Sequence, residues 1–396
     1  MKNYIDSINE AKDVSNYIID IRRKLHKIPE LDDDLYETSK IVKKELDSMG
    51  IPYKIVAKTG LVGVIEGELD GGTIGIRADM DALPIKEETG LPFASTNGAM
   101  HACGHDAHTA ILLGTAKVLS ENRNKIRGNV KLLFQPAEES FGGADTMIKE
   151  GALEDPKVDR IIGLHVGSIM EGSEEGKIAM KSGTLMAAVD IFKVKIVGKG
   201  AHAASPHLSV DPILIASEIT ISLQKIVSRE INPLNPAVVT VAQIKGGSAS
   251  NIIPEYAEIV GTVRTTDKDD RIFIQERIQN ICKYVCKANN AEATIEYLNH
   301  FPMLVNDIEF TEGCMEVIGD LFGKEEVVEL KNVTLGAEDM SYFLQEAKGT
   351  YFMLGTNNKD KGIVYPAHHP KFNLDEDVLW KGAAAFLEII NRWQDK

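Results

Sequence analysis

Apolar positions along the chain change their period several times, and each change marks an element. Val14, Tyr17, Ile18, Ile21, Leu25 and Ile28 recur at helical spacing, which predicts an amphipathic helix over 12–28 ended by Pro29. A second helix is expected over 37–49, closed by Gly50. The period then shortens. Segments 61–66, 73–77, 130–134 and 160–165 are brief and rich in Val, Ile and Leu, the pattern of strands buried on both faces. Helical patterns at 109–119 and 144–150 lie between them. Strands alternating with helices predict an α/β domain with a mixed central sheet covered on both sides. The tail resumes the pattern: a strand at 350–354, a long loop, and a helix over about 376–393 capped by Asp375.

The middle of the chain reads differently. Strand 189–197, helix 211–227, strands 237–244 and 252–263, helix 269–288 and strand 293–298 follow one another. That order, β-α-β-β-α-β, is the pattern of a small α+β domain. The expectation is a discontinuous α/β domain over 1–183 and 299–396, interrupted by an α+β domain over 184–298. A chain of 396 residues is long enough for each to bury its own core.

Composition narrows the partners. The formal net charge of -15 argues against nucleic acid and against an anionic membrane surface. No apolar run reaches the length of a membrane span, and no leader-like run follows the first residues. Four cysteines in such a chain make no disulfide framework. Cys282, Cys286 and Cys314 read as small buried hydrophobes of a protein in a reducing, cytoplasmic setting.

The chemistry concentrates at Met100–His108. His101, Cys103, His105 and His108 fall within a few residues, and Gly104 lets the backbone bend between two of them. Thiolate and imidazole together suit zinc and its neighbours. Other candidates stand just past the carboxyl ends of expected strands, where open α/β sheets bind ligands: Asp79 and Asp81, Glu138 and Glu139, His165, His368 and His369. Cys103, His105, Glu139, His165 and His368 are too many for a single open zinc site. They suit two ions about 3.5–4 Å apart, with the Cys103 thiolate as a bridge. Of the adjacent Glu138 and Glu139, one side chain can ligate while the other faces the cavity as a general base. His26 gets no role from its pattern, and its bland reading is a surface position on a helix. His101 and His108 read as supporting residues, and His207, His300 and His369 as structural. His202, in the glycine-containing loop Gly198–Pro206, stands out without a stated task. In the metal-free protein Cys103 is expected to be an exposed, acidic thiol prone to oxidation.

With these residues assembled, the chain resembles the metal-dependent amidohydrolases of the aminoacylase/carboxypeptidase superfamily. Within it, the chain is similar to the branch of N-acyl-amino-acid amidohydrolases, hippurate hydrolases, indoleacetyl-amino-acid hydrolases and N-acetyldiaminopimelate deacetylases. The resemblance is carried by 22–30, 77–84, 100–108, 135–139, 163–166, 198–206, 251–254, 336–339 and 368–372, and so spans nearly the whole chain. It implies Cys103, His105, Glu139, His165 and His368 as ligands of two divalent ions, zinc or manganese with cobalt or nickel also admissible. It implies Glu138 as the base and Asp81 as the residue orienting a ligand. A ligand two residues before proline selects His368 over His369. The inserted domain would be a lid that forms a homodimer. His202 would stabilise the oxyanion, often at a partner subunit's site, and Asn251 and Arg264 would hold the substrate carboxylate. The implied reaction is hydrolysis of the amide bond of an N-acyl amino acid by metal-activated water. Two rivals stand beside it: a dipeptidase or carboxypeptidase with the same machinery, and a binding protein that keeps the cleft without turnover.

Overall fold

The apolar runs read from the sequence form the middle of one sheet. The computed structural model describes residues 4–140, 142–167 and 174–393, in two units. The first comprises Met1–Leu185, Val305–Asn332 and Asp339–Lys396; the second comprises Met186–Leu304 and Val333–Glu338.

In the first unit eight strands pair in the order Tyr53–Val56, Gly60–Glu66, Arg127–Gln135, Leu69–Asp79, Arg160–Val166, Lys348–Leu354, Ile178–Met180 and Val327–Glu329. Four adjacent strands, Arg127–Gln135 through Lys348–Leu354, run parallel, while the flanking pairings include antiparallel ones. The sheet is therefore mixed. Register aligns the carboxyl ends: Asp79 lies opposite Gln135, Arg77 opposite Gly163, and His165 opposite Met353. Ile74, Ile76, Val130, Leu132, Ile162 and Phe352 are fully buried along these strands. Each such side chain removed from water contributes about 1.5–3 kcal/mol.

The helix His105–Glu121 is buried along nearly its whole length and packs against Ser15–His26 and Leu379–Trp393. Gly114 permits the approach, because a Cβ there would lie 2.5 Å from Ile18 Cγ1. The helix starts four residues before the expected 109, since its first turn is polar and carries no apolar period. The expected helix at 12–28 is two, Ser7–Asp13 and Ser15–His26, divided at Val14. Helices Tyr36–Ser48, Gly143–Lys149, Ile308–Phe322 and Met340–Glu346 also belong to the unit.

The second unit is an antiparallel sheet in the order Ala237–Gly246, Tyr256–Thr265, Ala188–Val197, Glu292–Phe301. Alternation along Ala188–Val197 sets its faces: Phe192, Val194 and Ile196 are buried, whereas Lys193 and Lys195 are exposed. The buried residues pack with Ile215, Ile219 and Leu223 of helix Pro212–Lys225 and with Ile274, Ile278 and Cys282 of helix Lys268–Ala288. The expected strand 252–263 is interrupted at Pro254-Glu255. A short piece, Ile252–Ile253, pairs instead with Ala201–His202, because Pro254 has no N–H to continue a ladder. Among the described residues no helix is long and apolar enough to cross a membrane.

Candidate metal centre

The residues singled out at the strand ends come together. Potential ligand atoms of Cys103, His105 and His165 lie within 4.8 Å of one another, and so do those of Cys103, Glu139 and His368. Cys103 is common to both triads. Glu138 joins His105 and Glu139 in a third grouping at the same spacing.

Local backbone explains the convergence. Gly104 takes φ +91°, and a Cβ at that position would stand 2.5 Å from Val166 Cγ2. Only glycine fits this turn, which presents Cys103 on one side and opens the His105 helix on the other. Ala137 takes φ +58° immediately before the glutamate pair. Asp81 then clamps that turn, its two carboxylate oxygens accepting from Glu138 N at 3.0 Å and Glu139 N at 2.9 Å. His368 also has positive φ, and its N–H donates to Ala102 O at 2.8 Å, tying the last motif to the cysteine loop.

Hydrogen bonding decides which histidines have a nitrogen to spare. His165 donates from Nδ1 to Val166 O at 2.7 Å, which leaves Nε2 as a lone pair 3.4 Å from Cys103 Sγ. Burial, with the nearby His108, holds its pKa well below the usual range, so the ring stays neutral and able to ligate. His105 is buried with neither ring nitrogen hydrogen-bonded, and Glu139 Oε1 is likewise without a hydrogen bond. Buried polar atoms left in this state are costly unless another group satisfies them. Their neighbours are at ion-pair distance only: His105 Nδ1 is 3.4 Å from Asp81, and His368 Nε2 is 3.3 Å from Glu139. A donor set of thiolate, imidazoles and carboxylate with unclaimed lone pairs fits divalent cations. His369 does not compete, because its Nδ1 accepts from Lys371 N and its ring stacks on Tyr365.

Two expectations need correcting. Cys103 is buried rather than exposed, and burial together with the Glu139 carboxylate pushes its thiol pKa up. His26 is no surface residue. It is fully buried, with Nδ1 2.7 Å from Asp106 and Nε2 3.2 Å from Glu87, and Arg22 donates to Asp106 at 2.9 Å beside it. This charged cluster underpins the turn of Asp106, next to His105. The helical period could not reveal it, because its partners are 61 and 80 residues away.

In the second unit His202 pairs across to Ile252, and Ala203 N–H donates to Asn251 O at 3.0 Å, so His202 and Asn251 are neighbours. His202 Nδ1 accepts from Ala204 N–H at 3.1 Å, which places its proton on Nε2. Arg264 lies on the sheet and donates to Leu335 O at 3.2 Å.

Residues 75–392 match the model of peptidase family M20/M25/M40. The chain belongs to that family. Relatives within reach are the N-acetyl-L-cysteine deacetylase of Bacillus subtilis, 42% identical over 96% of this chain and 88% of that protein, and thermostable carboxypeptidase 1 of Saccharolobus solfataricus, 40% identical over 98% of both. Among solved structures, the YXEP protein of Bacillus subtilis, described as a dinuclear metal binding peptidase of the M20 family, superimposes with a TM-score of 0.83. It shares 34% identity and covers 97% of this chain and 99% of its own. As a member of the M20 family the protein is a hydrolase, and its mixed α/β architecture is that of its structural relatives.

Proposed function

We propose that the protein hydrolyses the amide bond of N-acyl amino acids with two divalent cations. The observation that carries this reading is the pair of ligand triads sharing Cys103. Cys103, His105 and His165 would hold one cation, and Cys103, Glu139 and His368 the other. Zinc suits the thiolate and imidazoles best, and manganese, cobalt or nickel are admissible. Such cations supply Lewis acidity, polarising the scissile carbonyl and lowering the pKa of a water toward neutrality.

The chain's own residues do the rest. Glu138, 7% exposed, takes the proton of the attacking water and returns it to the leaving amine. Asp81 keeps that carboxylate aimed by holding its backbone N–H and that of Glu139. His202, with its proton on Nε2, is in the right tautomer to donate to a developing oxyanion. Asn251 and Arg264 hold the substrate carboxylate, Arg264 through its planar fork.

The second unit is read as the lid and homodimer element. Its edge strand Ala237–Gly246 exposes Ile244, and helix Pro212–Lys225 exposes Leu214 at 65% and Ile221 at 69%. A second subunit would cover these apolar groups, and light scattering of the purified protein tests for the dimer. A cytoplasmic location suits four buried cysteines that form no disulfide.

The experiment is free-amine release from a panel of N-acetyl and N-benzoyl amino acids and dipeptides, with divalent cation and then with chelator. Cation-dependent release from N-acyl amino acids supports the proposal. Release from peptides alone favours the carboxypeptidase reading, which the 40% identity to thermostable carboxypeptidase 1 keeps in view. Tight binding without release would favour the non-catalytic reading.

A further inference from the structure

A buried guanidinium behind the candidate ligands reaches several of the segments that carry them. Arg77 is 1% exposed. Its Nε donates to Gln135 Oε1 at 2.8 Å, Nη1 to Asp79 Oδ2 at 2.9 Å, and Nη2 to Asp339 Oδ1 at 2.8 Å. Each edge of the planar fork therefore serves a different partner. None of the three partners is among the ligand candidates of the two triads.

The Asp79 arm continues without a break. His108 Nδ1 lies 2.5 Å from Asp79 Oδ1, and Val166 N–H donates to His108 Nε2 at 2.8 Å. Since Nε2 accepts, the ring proton sits on Nδ1 and is given to Asp79. The carbonyl of Val166 in turn takes the Nδ1–H of His165 at 2.7 Å. The chain Arg77–Asp79–His108–Val166–His165 thus orients a candidate ligand. Thr109 Oγ1 also donates to Asp79 O at 2.9 Å, which ties in the first turn of the helix bearing His105.

The other arms brace the glutamates. Gln135 Nε2 donates to Asp339 Oδ2 at 2.6 Å, and Ala144 N–H to the same oxygen at 3.1 Å. Gln135 stands three residues before Glu138. Arg77 also has a restraining effect. Asp79 Oδ2, which it occupies, is only 3.5 Å from His105 Nε2, and Asp79, His105 and His108 could themselves group around an ion. Without the guanidinium, this carboxylate would be a surplus ligand beside the shared site.

We propose that Arg77, anchored by Asp339, is a positioning residue of the metal centre: it orients His165 through Asp79 and His108, braces the Gln135–Glu139 turn, and keeps Asp79 out of the coordination sphere. The inference rests on the two-cation reading above.

The test uses full-length metal-free protein, parent and two variants. Arg77→Lys keeps the charge but loses the fork. Asp339→Asn keeps the shape and removes the anchoring charge, and it carries the test if Arg77→Lys does not fold. Cobalt(II) binding is measured by competition with a chromophoric chelator, the visible spectrum of the bound cobalt is recorded, and the metal-free melting temperature is taken separately. The expected result is binding about 10–100-fold weaker in the variants, with weaker visible bands as Asp79 raises the coordination number. A lowered melting temperature with parental affinity and spectrum would overturn the proposal, because Arg77 would then serve only the fold. Failure of the parent itself to bind cobalt(II) would overturn the two-cation reading, and this proposal with it.

Discussion

Replacing Glu87 with Gln probes the charged cluster beneath the Cys103 loop, and the outcome depends on pH in a defined way. The Glu87 side chain is inaccessible to solvent. It accepts from Ser95 N–H at 2.6 Å, lies 3.2 Å from His26 Nε2, and receives the Thr89 hydroxyl. Burial opposes its ionisation, yet His26, Thr89 and Ser95 together lower its pKa from 4.5 to about 2. A displacement of that size is worth roughly 2–3 kcal/mol of stability once shared with His26. Because the folded pKa is the lower one, this stability is present above about pH 4.5 and is lost as pH falls toward 2. His26 behaves in the opposite sense. Burial disfavours its charge, but Asp106 and Glu87 outweigh that and raise its pKa. Its contribution is therefore complete below about pH 6.5 and is lost as pH rises through the raised value. The difference between parent and Glu87→Gln should peak between about pH 5 and 6.5 and shrink on both sides. Urea unfolding of the metal-free protein, held in chelator, measures it at each pH. Tryptophan fluorescence reports the right unit, since both tryptophans, Trp380 and Trp393, belong to the first. A difference that stays constant with pH would refute the ionic account of the cluster.

Three other substitutions test the site itself. Glu138→Gln should lower turnover by about 10²–10⁴-fold while cation affinity stays near parental; steady-state kinetics beside a cation titration checks this, and near-normal turnover removes Glu138 from the mechanism. His202→Ala should reduce kcat by about 10²–10³-fold, and a change confined to KM would mean that His202 binds substrate rather than the oxyanion. Gly104→Ala places a Cβ 2.5 Å from Val166 Cγ2 at φ +91°. Backbone strain alone costs about 1–3 kcal/mol, so the melting temperature and cation affinity should both fall, and parental values of both would contradict the account of the turn.

Much of the architecture was legible along the chain because burial imposes a period. Strands 73–77, 130–134 and 160–165 announced themselves as apolar runs, and the alternation in 189–197 set the faces of the second sheet. Elements with weak periods escaped. Tyr53–Val56 has only one buried residue, and the helix from His105 opens on polar residues that turn toward the site. The break at Pro254 is written in the sequence, since proline cannot donate to a ladder, although the apolar run over 252–263 by itself predicts one continuous strand.

At the site the division falls between residue type and residue state. Thiol, imidazole and carboxylate at strand ends declared metal chemistry from the sequence, because few other tasks need those groups so close together. Their place just past a strand end picked out the glutamate pair, and the resemblance of the closing motif picked out His368 over His369. Only the tertiary structure decided which nitrogen carries each proton: Val166 sets the tautomers of both His108 and His165, and Ala204 sets that of His202. It alone showed that Cys103 and His26 are buried, and that Arg77 joins Asp79, Gln135 and Asp339 across as many as 262 residues of chain. Periodicity reports which face of an element is buried. Protonation, strain and charge pairing depend on what lies across the fold, and no local pattern carries that information.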